Sequence, residues 1–292
     1  MTRAKPARAA PRNPATPPVP PALTVIEAGP VGVRSSVYAL WNHPDLLLML
    51  ALRDVKLRYQ QTAVGAAWAL LQPLLIMLVL TGFASVVGFR TGDIPYPLYV
   101  MTGLVPWTYF THAFTSTTNS LVSHSGIIGK IYFPRLAIPV AAALAGSIDF
   151  FVAALLLPIF MVAYHTKPTL ALLALPAFVV MALTAAFAIG LWLAVLNVRY
   201  RDVVNALPFF TQLMFFATPI AYNSQWIPEP WRTIVGINPM VGVVDGLRWA
   251  VLGDRAGGLH ASILVSLASI AVLLVGGVWY FRQREPSFAD EM

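Results

Sequence analysis

The sequence predicts an all-α protein that crosses a membrane several times, and three observations support this fold class. Residues 63–89 run for twenty-seven positions without Asp, Glu, Lys, Arg or His, and an apolar helix of about 20 residues spans a hydrocarbon core of about 30 Å. Of the 292 residues, 58% are hydrophobic and only 11% are charged, whereas soluble domains carry roughly 25% charged residues. The long unbroken apolar runs also differ from the alternating pattern of a membrane β-barrel.

The first thirty residues form a tail of different composition, rich in Ala, Pro and Arg. Eight prolines lie between Pro6 and Pro30. Because proline removes backbone donors and blocks helix interiors, we expect residues 1–30 to be a disordered cytoplasmic tail. This tail lacks the apolar core of a signal peptide, and it is either fully solvated or in contact with anionic lipid. Residues 31–292 then form one transmembrane domain.

A basic amphipathic helix is predicted just before the first apolar run. Residues 42–45 read Asn-His-Pro-Asp, a helix start with proline in the first turn and an acid near the positive end of the helix dipole. One helical stripe of this segment consists of Leu48, Leu52, Val55 and Tyr59. The spacing of Asp54 and Arg58 favours an ion pair within the helix. The pattern suits a helix in the membrane interface, and it suits a cytosolic cap on the bundle equally well.

Six spans are predicted after this helix, and they place both termini on one side of the membrane. Their bounds are 64–88, 98–118, 137–164, 169–196, 205–222 and 260–281. With these bounds, fourteen of the nineteen Lys and Arg residues lie on the side of the termini and five on the other. By the positive-inside rule, the termini are cytoplasmic. The same distribution explains the net charge of +7 without nucleic acid.

The segment between the fifth and sixth predicted spans, residues 223–258, is apolar but interrupted. Asn238-Pro239, Asp245 and Arg248 break the run from Thr233 to Gly253. A re-entrant helical hairpin on the outer side fits these interruptions, because irregular backbone at membrane depth is tolerated where protein or water surrounds it. The spacing of Asp245 and Arg248 allows the two charges to neutralise each other. The alternative is a seventh span, which would place the last basic residues outside.

The sequence contains few groups that could carry out chemistry. The run from Gly126 to Lys130 resembles a phosphate loop, but its spacing is too short and no Ser or Thr follows Lys130. The five histidines are scattered over ends and loops, and no cluster has metal-ligand spacing. A membrane-embedded glycosyl- or acyltransferase would need such a constellation. If the protein drives transport, its energy comes from elsewhere.

Asp149 is the one formal charge near the middle of a predicted span. Intramembrane acids are costly and often functional. A proton relay would need further ionisable groups at the same depth, so a structural role, with a hydrogen bond to a polar residue of another span, is favoured. An ion-coupled secondary transporter remains the alternative. It predicts that Asp149→Asn abolishes transport without loss of folding.

Three strings resemble ABC-2 type permeases that export polysaccharides. They are LRDVKLRYQQTAVGAAWALLQP at 52–73, GKIYFPR at 129–135, and NPM at 238–240 followed by DGLRW at 245–249. The resemblance extends from about residue 46 to 284. It implies a half-transporter with six spans that forms a homodimer in the bacterial cytoplasmic (inner) membrane. It also implies two cytosolic subunits that bind ATP and Mg, with no cofactor or metal in this chain.

The resemblance also assigns roles to particular residues. The interface helix would contribute Arg53, Asp54, Lys56, Arg58 and Tyr59. A coupling helix in 119–135, which could otherwise be a loop lying on the membrane, would contact the ATPase through Ile127, Ile128, Lys130, Tyr132, Phe133 and Arg135. Outer gate helices would carry Trp226, Trp231, Asn238, Asp245, Arg248 and Trp249.

A channel for a glycan is the last feature that the resemblance implies. Candidate lining residues are Trp68, Gln72, Trp107, Tyr109, Phe215, Phe216 and Tyr222. Sugar C–H groups pack on aromatic rings and sugar hydroxyls need polar partners, although helix packing accounts for any single ring equally well. The expected cargo is a lipid-linked O-antigen, capsular polysaccharide or teichoic acid. Export of a drug or a lipid, as by other ABC-2 members, is the nearer alternative.

Overall fold

A computed structural model describes residues 44–60, 65, 67–88, 91, 94–128, 133–228, 230–253 and 261–288. Within these ranges the chain is helical and contains no strand, which confirms the predicted all-α membrane class. The predicted tail 1–30 lies outside the described residues, as do Lys130 and Tyr132.

Four helices make up the first part of the bundle. They are α1 (Pro44–Tyr59), α2 (Ala67–Val87), α3 (Tyr96–Ser123) and α4 (Ser125–Ile128). The predicted span 98–118 was too short, because α3 has 28 residues and a length of about 42 Å. α3 therefore extends beyond a hydrocarbon core of about 30 Å.

The predicted span 137–164 is one path through the bundle but three consecutive helices. They are α5 (Ala137–Ala145), α6 (Ser147–Ala154) and α7 (Leu156–Ala163). The second break has a local cause, since Pro158 cannot donate to the carbonyl of Ala154 and its ring crowds that carbonyl. At the break itself, the amide of Leu155 donates to the carbonyl of Val152, three residues back, at 3.2 Å.

The next two spans also depart from their predicted bounds. A 3₁₀ turn, Leu170–Ala174, leads into α8 (Leu175–Arg199), and α9 follows at Val203–Ala217. α9 ends five residues before the predicted position 222. Thr218 precedes Pro219 and is extended, with φ −101° and ψ 133°, in keeping with the bias of residues before proline away from the helical region.

Two short helices replace the interrupted segment before the last span. A 3₁₀ turn, Ser224–Trp226, is followed by α10 (Trp231–Val235) and α11 (Pro239–Leu252), then by α12 (Ala261–Arg284) and a 3₁₀ turn, Glu285–Ser287. We call residues 224–252 the outer hairpin, after the side on which the sequence predicts them. α11 has 14 residues, about 21 Å of helix, which is too short for a span. The break before Asn238, whose side chain caps α11, excludes one continuous span over 233–253.

Among the described residues, four stretches are long and apolar enough to cross a membrane: Ala67–Val87, Ala137–Ala163, Leu170–Arg199 and Ser262–Ser287. α3 is long enough but more polar, and α9 is apolar but shorter. The reason for the polarity of α3 is its position. It is the central helix, packed against α2, α5, α8 and α11, and most of its residues are buried.

α11 packs closely against α8 because of one glycine. A Cβ built on Gly246 would lie 2.0 Å from Cε1 of Phe178. By contrast, a Cβ on Gly82 of α2 would meet no atom within 4 Å. The ring of Phe178 therefore occupies the space that a side chain at position 246 would need.

We predict that Gly246→Ala destabilises the fold by about 1–3 kcal/mol, because overpacking forces the ring or the backbone to move. Gly82→Ala is the matched control and should leave stability unchanged or raise it slightly. Thermal unfolding in detergent measures both variants. Equal unfolding temperatures for the two would contradict the close approach of α11 and α8.

Candidate functional site

The face of α1 that contacts the protein differs from the predicted stripe. Leu50 is buried against Ala137 and Ala141 of α5, together with the half-buried Leu46 and Leu47. Leu48 and Leu52 of the predicted stripe are instead 59% and 54% exposed. Val55 and Tyr59 of the same stripe are half-buried, so the stripe divides between the protein and the outer surface. Residues 46–52 are apolar on every side of the helix, so periodicity does not single out one face.

The polar residues of α1 bind other helices and not each other. The predicted pair between Asp54 and Arg58 does not form. Oδ1 of Asp54 lies 3.2 Å from Nε2 of His124. Arg58 pairs through Nη1 with Asp149 of α6, and its Nη2 donates to Oγ of Ser116 in α3 at 2.9 Å. These contacts tie α1 to two helices of the membrane core.

Asp149 has two donors, and both come from α1. The Arg58 guanidinium and the Tyr59 hydroxyl each bond to one of its carboxylate oxygens. The sequence predicted a hydrogen bond from Asp149 to a polar residue of another span. The hydrogen bonds are present, but their donors lie on α1 and not on a predicted span. With the residue only 7% exposed, these two donors offset the cost of burying the carboxylate.

His124 lies between α3 and α4, with a backbone carbonyl at one ring nitrogen and a carboxylate near the other. Its Nδ1 is 2.8 Å from the Ser120 carbonyl, and its Nε2 faces Asp54. A neutral imidazole has only one N–H. The pKa of His124 is raised, mainly because the Asp54 carboxylate accepts from the protonated ring, and the Ser120 carbonyl acts in the same direction. Burial and the nearby Arg53 lower the pKa but do not outweigh these two groups.

This end of the molecule also contains a cleft of about 390 Å³, lined by hydroxyl groups of α3 and by Arg58.

Two of the predicted ATPase-coupling residues contact this chain itself. Phe133 is half-buried between two apolar clusters, and the Arg135 guanidinium donates to the carbonyl of Glu285. Ile127 and Ile128 lie on α4, and Lys130 and Tyr132 are outside the described residues. The interface residues Arg53 and Lys56 are exposed on α1. α4 begins at Ser125, immediately after His124, whose ring lies beside Asp54 of α1.

The predicted outer gate residues divide into a buried pair and an exposed rim. Asp245 and Arg248 are buried, with Oδ1 and Nη1 3.6 Å apart. Trp226 and Trp231 are exposed, and Trp249 is half-buried against the core. The predicted pairing of Asp245 with Arg248 is confirmed, and the buried pair belongs to α11.

The candidate channel residues are not all at one surface. Trp107 is buried with its ring centroid 5.6 Å from that of Phe215, and Tyr109 is buried with its hydroxyl 3.1 Å from Oγ of Ser147. Both pack inside the chain. The exposed members are Trp68 and Gln72 on α2 and Phe216 on α9, and the half-buried Tyr222 donates to the Phe216 carbonyl at 3.2 Å.

The sequence reasoning missed three contributors to these sites. His124 was grouped with scattered histidines, Ser116 was not singled out, and Tyr99 was read only as part of a span. No local signal marks them, because each acts through residues that are distant in sequence. Tyr99, for example, lies 149 positions from Arg248, whose guanidinium carbon is 3.8 Å from its ring centroid.

These features define a polytopic helical membrane protein whose first helix is tied by ion pairs to its transmembrane core. The match to a family model then gives the particular family. The chain belongs to the ABC-2 type transporter family, and the matched residues, 45–252, run from the second residue of α1 to the last residue of α11.

Individual relatives are similar over nearly their whole length. An O-antigen export system permease protein RfbA of Klebsiella pneumoniae is 28% identical over 247 residues, 84% of this chain and 94% of the relative. The protein of that name from Myxococcus xanthus is 28% identical over 259 residues, 88% and 98% of the two chains. The polysialic acid transport protein KpsM of Escherichia coli is 23% identical over 240 residues, 81% and 92%.

We predict that Asp149→Asn lowers the free energy of unfolding by about 1–3 kcal/mol, because it leaves Arg58 without its counter-ion in a partly buried site. Asp45→Asn is the matched control. Asp45 is an exposed acid of α1, the helix that carries Arg58, and its replacement should lower the free energy of unfolding by less. The double variant Arg58→Met with Asp149→Leu removes both charges and should be more stable than Asp149→Asn. Thermal unfolding of the purified chain measures all three. Equal losses for positions 45 and 149 would show that the pair does not hold α1.

We predict that the contact of His124 with Asp54 makes stability depend on pH. Because the folded pKa is raised above the ordinary value of 6.5, the contribution is fully present below 6.5 and is lost as the pH rises through the raised pKa. Unfolding temperatures measured from about pH 5.5 to about pH 8.5 should fall across this window in the unaltered protein. His124→Gln and Asp54→Asn should each flatten that fall, and an unchanged pH profile in both would refute the contact.

Proposed function

We propose that this chain is the permease subunit of an ABC transporter that exports a lipid-linked polysaccharide across the bacterial cytoplasmic membrane. The observation that carries the proposal is the extent of similarity to glycan exporters. Relatives named for O-antigen export and for polysialic acid transport match over 92–98% of their own length. Each of these matches, at 240–259 residues, is longer than the match to the family model over residues 45–252.

The energy would come from two cytosolic ATPase subunits that bind ATP and Mg. The sequence contains no complete phosphate loop, so the chain itself would be a conduit and not an enzyme. α4 would contact the ATPase, since it is a short helix at the end of α3 on the side where the basic residues predict the cytoplasm. The contacts of α1 with α3 and α6 support a role for α1 in passing a movement of the ATPase to the membrane core.

A second copy of the chain would complete the channel. α2 exposes a long apolar face together with Trp68 and Gln72, and α9 exposes Phe209, Leu213 and Phe216. Some of this surface would face lipid and some the other subunit. The exposed rings and the amide of Gln72 are suited to a sugar chain, whereas Trp107 and Tyr109 would support the wall from behind.

An ion-coupled secondary transporter fits the geometry less well. Its carrier would be Asp149, but that carboxylate accepts from Arg58 and Tyr59. Proton uptake would have to break both contacts. Export of a drug or a different lipid is compatible with the family, but the relatives are named for O-antigen export and polysialic acid transport, which favours a glycan.

The test is export by the reconstituted complex. Membrane vesicles that contain this chain and a co-purified cytosolic ATPase should move a polyprenyl-diphosphate-linked glycan only when ATP is added, and the chain alone should not. Tyr132→Asp should reduce both ATPase binding and export, because it would add charge to the segment that the resemblance assigns to ATPase coupling. Tyr132 is preferred to Phe133, which packs against the chain's own core.

Tyr164→Asp is the matched control, since Tyr164 is exposed after α7, on the side predicted to be outside. It should leave both ATPase binding and export unchanged. Glycan export by the chain alone would end the proposal, as would full export by Tyr132→Asp.

A further inference from the structure

The segment that joins α9 to the outer hairpin is buried but has almost no backbone partner for its own carbonyls. Residues 218–222 are not helical, and Thr218 and Ile220 are fully buried. A buried carbonyl without a donor costs free energy comparable to a lost hydrogen bond. The chain must therefore supply donors from side chains.

Four consecutive carbonyls of this segment receive such donors. Nη2 of Arg248 donates to the carbonyls of Pro219 and Ile220 at 2.9 and 3.1 Å. The hydroxyl of Tyr96 donates to the carbonyl of Ala221 at 3.0 Å. The hydroxyl of Tyr99 donates to the carbonyl of Tyr222 at 3.1 Å. Three side chains from α3 and α11 thus hold every carbonyl from 219 to 222.

Arg248 is held in place from several sides. It is 2% exposed, its guanidinium carbon lies 3.8 Å from the centroid of the Tyr99 ring, and Nη1 faces Asp245. Asp245 also accepts from Oγ of Ser224 at 3.1 Å. A planar guanidinium can stack on a ring and donate at its edge at once, whereas an ammonium cannot.

The segment also lies directly on α3. A Cβ built on Gly103 would lie 3.1 Å from Cγ2 and 3.2 Å from Cα of Ile220. The end of α9, the hairpin helix α11 and the first turns of α3 therefore meet at one buried point. Arg248, which lies on α11, contacts the residues just after α9 through the carbonyls of Pro219 and Ile220 and contacts α3 through the ring of Tyr99.

We infer that Arg248 is a positioning residue that joins the end of α9, the outer hairpin and the start of α3 into one rigid unit. When α9 moves within the membrane, the outer hairpin then moves with it by the same displacement. The rigid unit follows from the contacts alone. Its consequence for transport rests on the proposed function, because α9 and the hairpin would line and close the exit of the channel.

Distances between spin labels test the rigid unit. The chain has no cysteine, so Leu213→Cys on α9 and Ile234→Cys on α10, both at exposed side chains, give two specific labels. The labelled chain is mixed with excess unlabelled chain in nanodiscs, so that a dimer carries one labelled copy. We expect a single narrow distance peak, at the same position without nucleotide and with the ATPase partner and ATP. Arg248→Gln should lose this peak and give a broad distribution.

The control is Arg232→Gln, which removes another arginine of the hairpin. The carbonyl partners of Arg232, Gln225 and Ile227, lie within the hairpin itself, so the narrow peak should remain. In the reconstituted complex, Arg248→Gln should also lower the glycan exported per ATP hydrolysed roughly fivefold or more, in the range of common coupling energies. ATP hydrolysis itself should persist, which a general loss of structure would not allow.

Tyr99→Phe is the second variant. It keeps the ring under Arg248 and removes only one donor, so it should fold even if Arg248→Gln does not, and should broaden the peak partly. Narrow distances in every folded variant would overturn the inference, and so would a wild-type distance that shifts with ATP. If the wild type exports no glycan, the proposed function fails while the distance result still stands.

Discussion

The structure depends on one constraint: polar groups at membrane depth must find their partners within the protein. In hydrocarbon no water is available to a carboxylate, a guanidinium or a bare carbonyl. The chain meets this constraint with a few distant contacts. Asp149 is neutralised by Arg58 and accepts a hydrogen bond from Tyr59, both of α1, and the carbonyls of 219–222 are covered by α3 and α11.

α3, the central helix, contacts residues of both of these sites. Near its beginning, Tyr99 receives Arg248 on its ring. In its second half, Ser116 accepts from Arg58, and His124 at its end faces Asp54. The helix is about 42 Å long, so one rigid element connects α1 on one side with the outer hairpin on the other. That arrangement is what a permease driven from the cytosol would need, because a force on α1 or α4 reaches the far side through packed helices.

Polarity in the middle of the bundle explains where prediction from sequence succeeded and where it failed. Long apolar runs identified the spans, since lipid-exposed helices such as α2 must be apolar on most sides. α3 was found but placed too short, because its ends are polar and their burial was not visible. The ends of α9 and α6 depended on Pro219 and Pro158, whose local rule is known, and both prolines lie within the predicted spans.

The candidate site shows the same division. The pair of Asp245 and Arg248 was predictable, because their spacing puts them on one side of a helix. The contacts of Asp54 with His124 and of Arg58 with Asp149 were not, since a local i, i+4 pair seemed available. The face of α1 that contacts the protein could not be predicted either: with leucines all round the helix, only the partner surface of α5 could select a face.

The sequence alone determined the class of this protein, because the hydrophobic effect acts on composition and run length, which can be read along the chain. It also determined the resemblance to ABC-2 permeases through three strings, and the family match over 45–252 agrees with it. Only the tertiary structure decided which charged groups pair and which rings face inward. Those choices depend on positions that folding brings within about 4 Å, where Coulomb and hydrogen-bond energies become large in a medium without water.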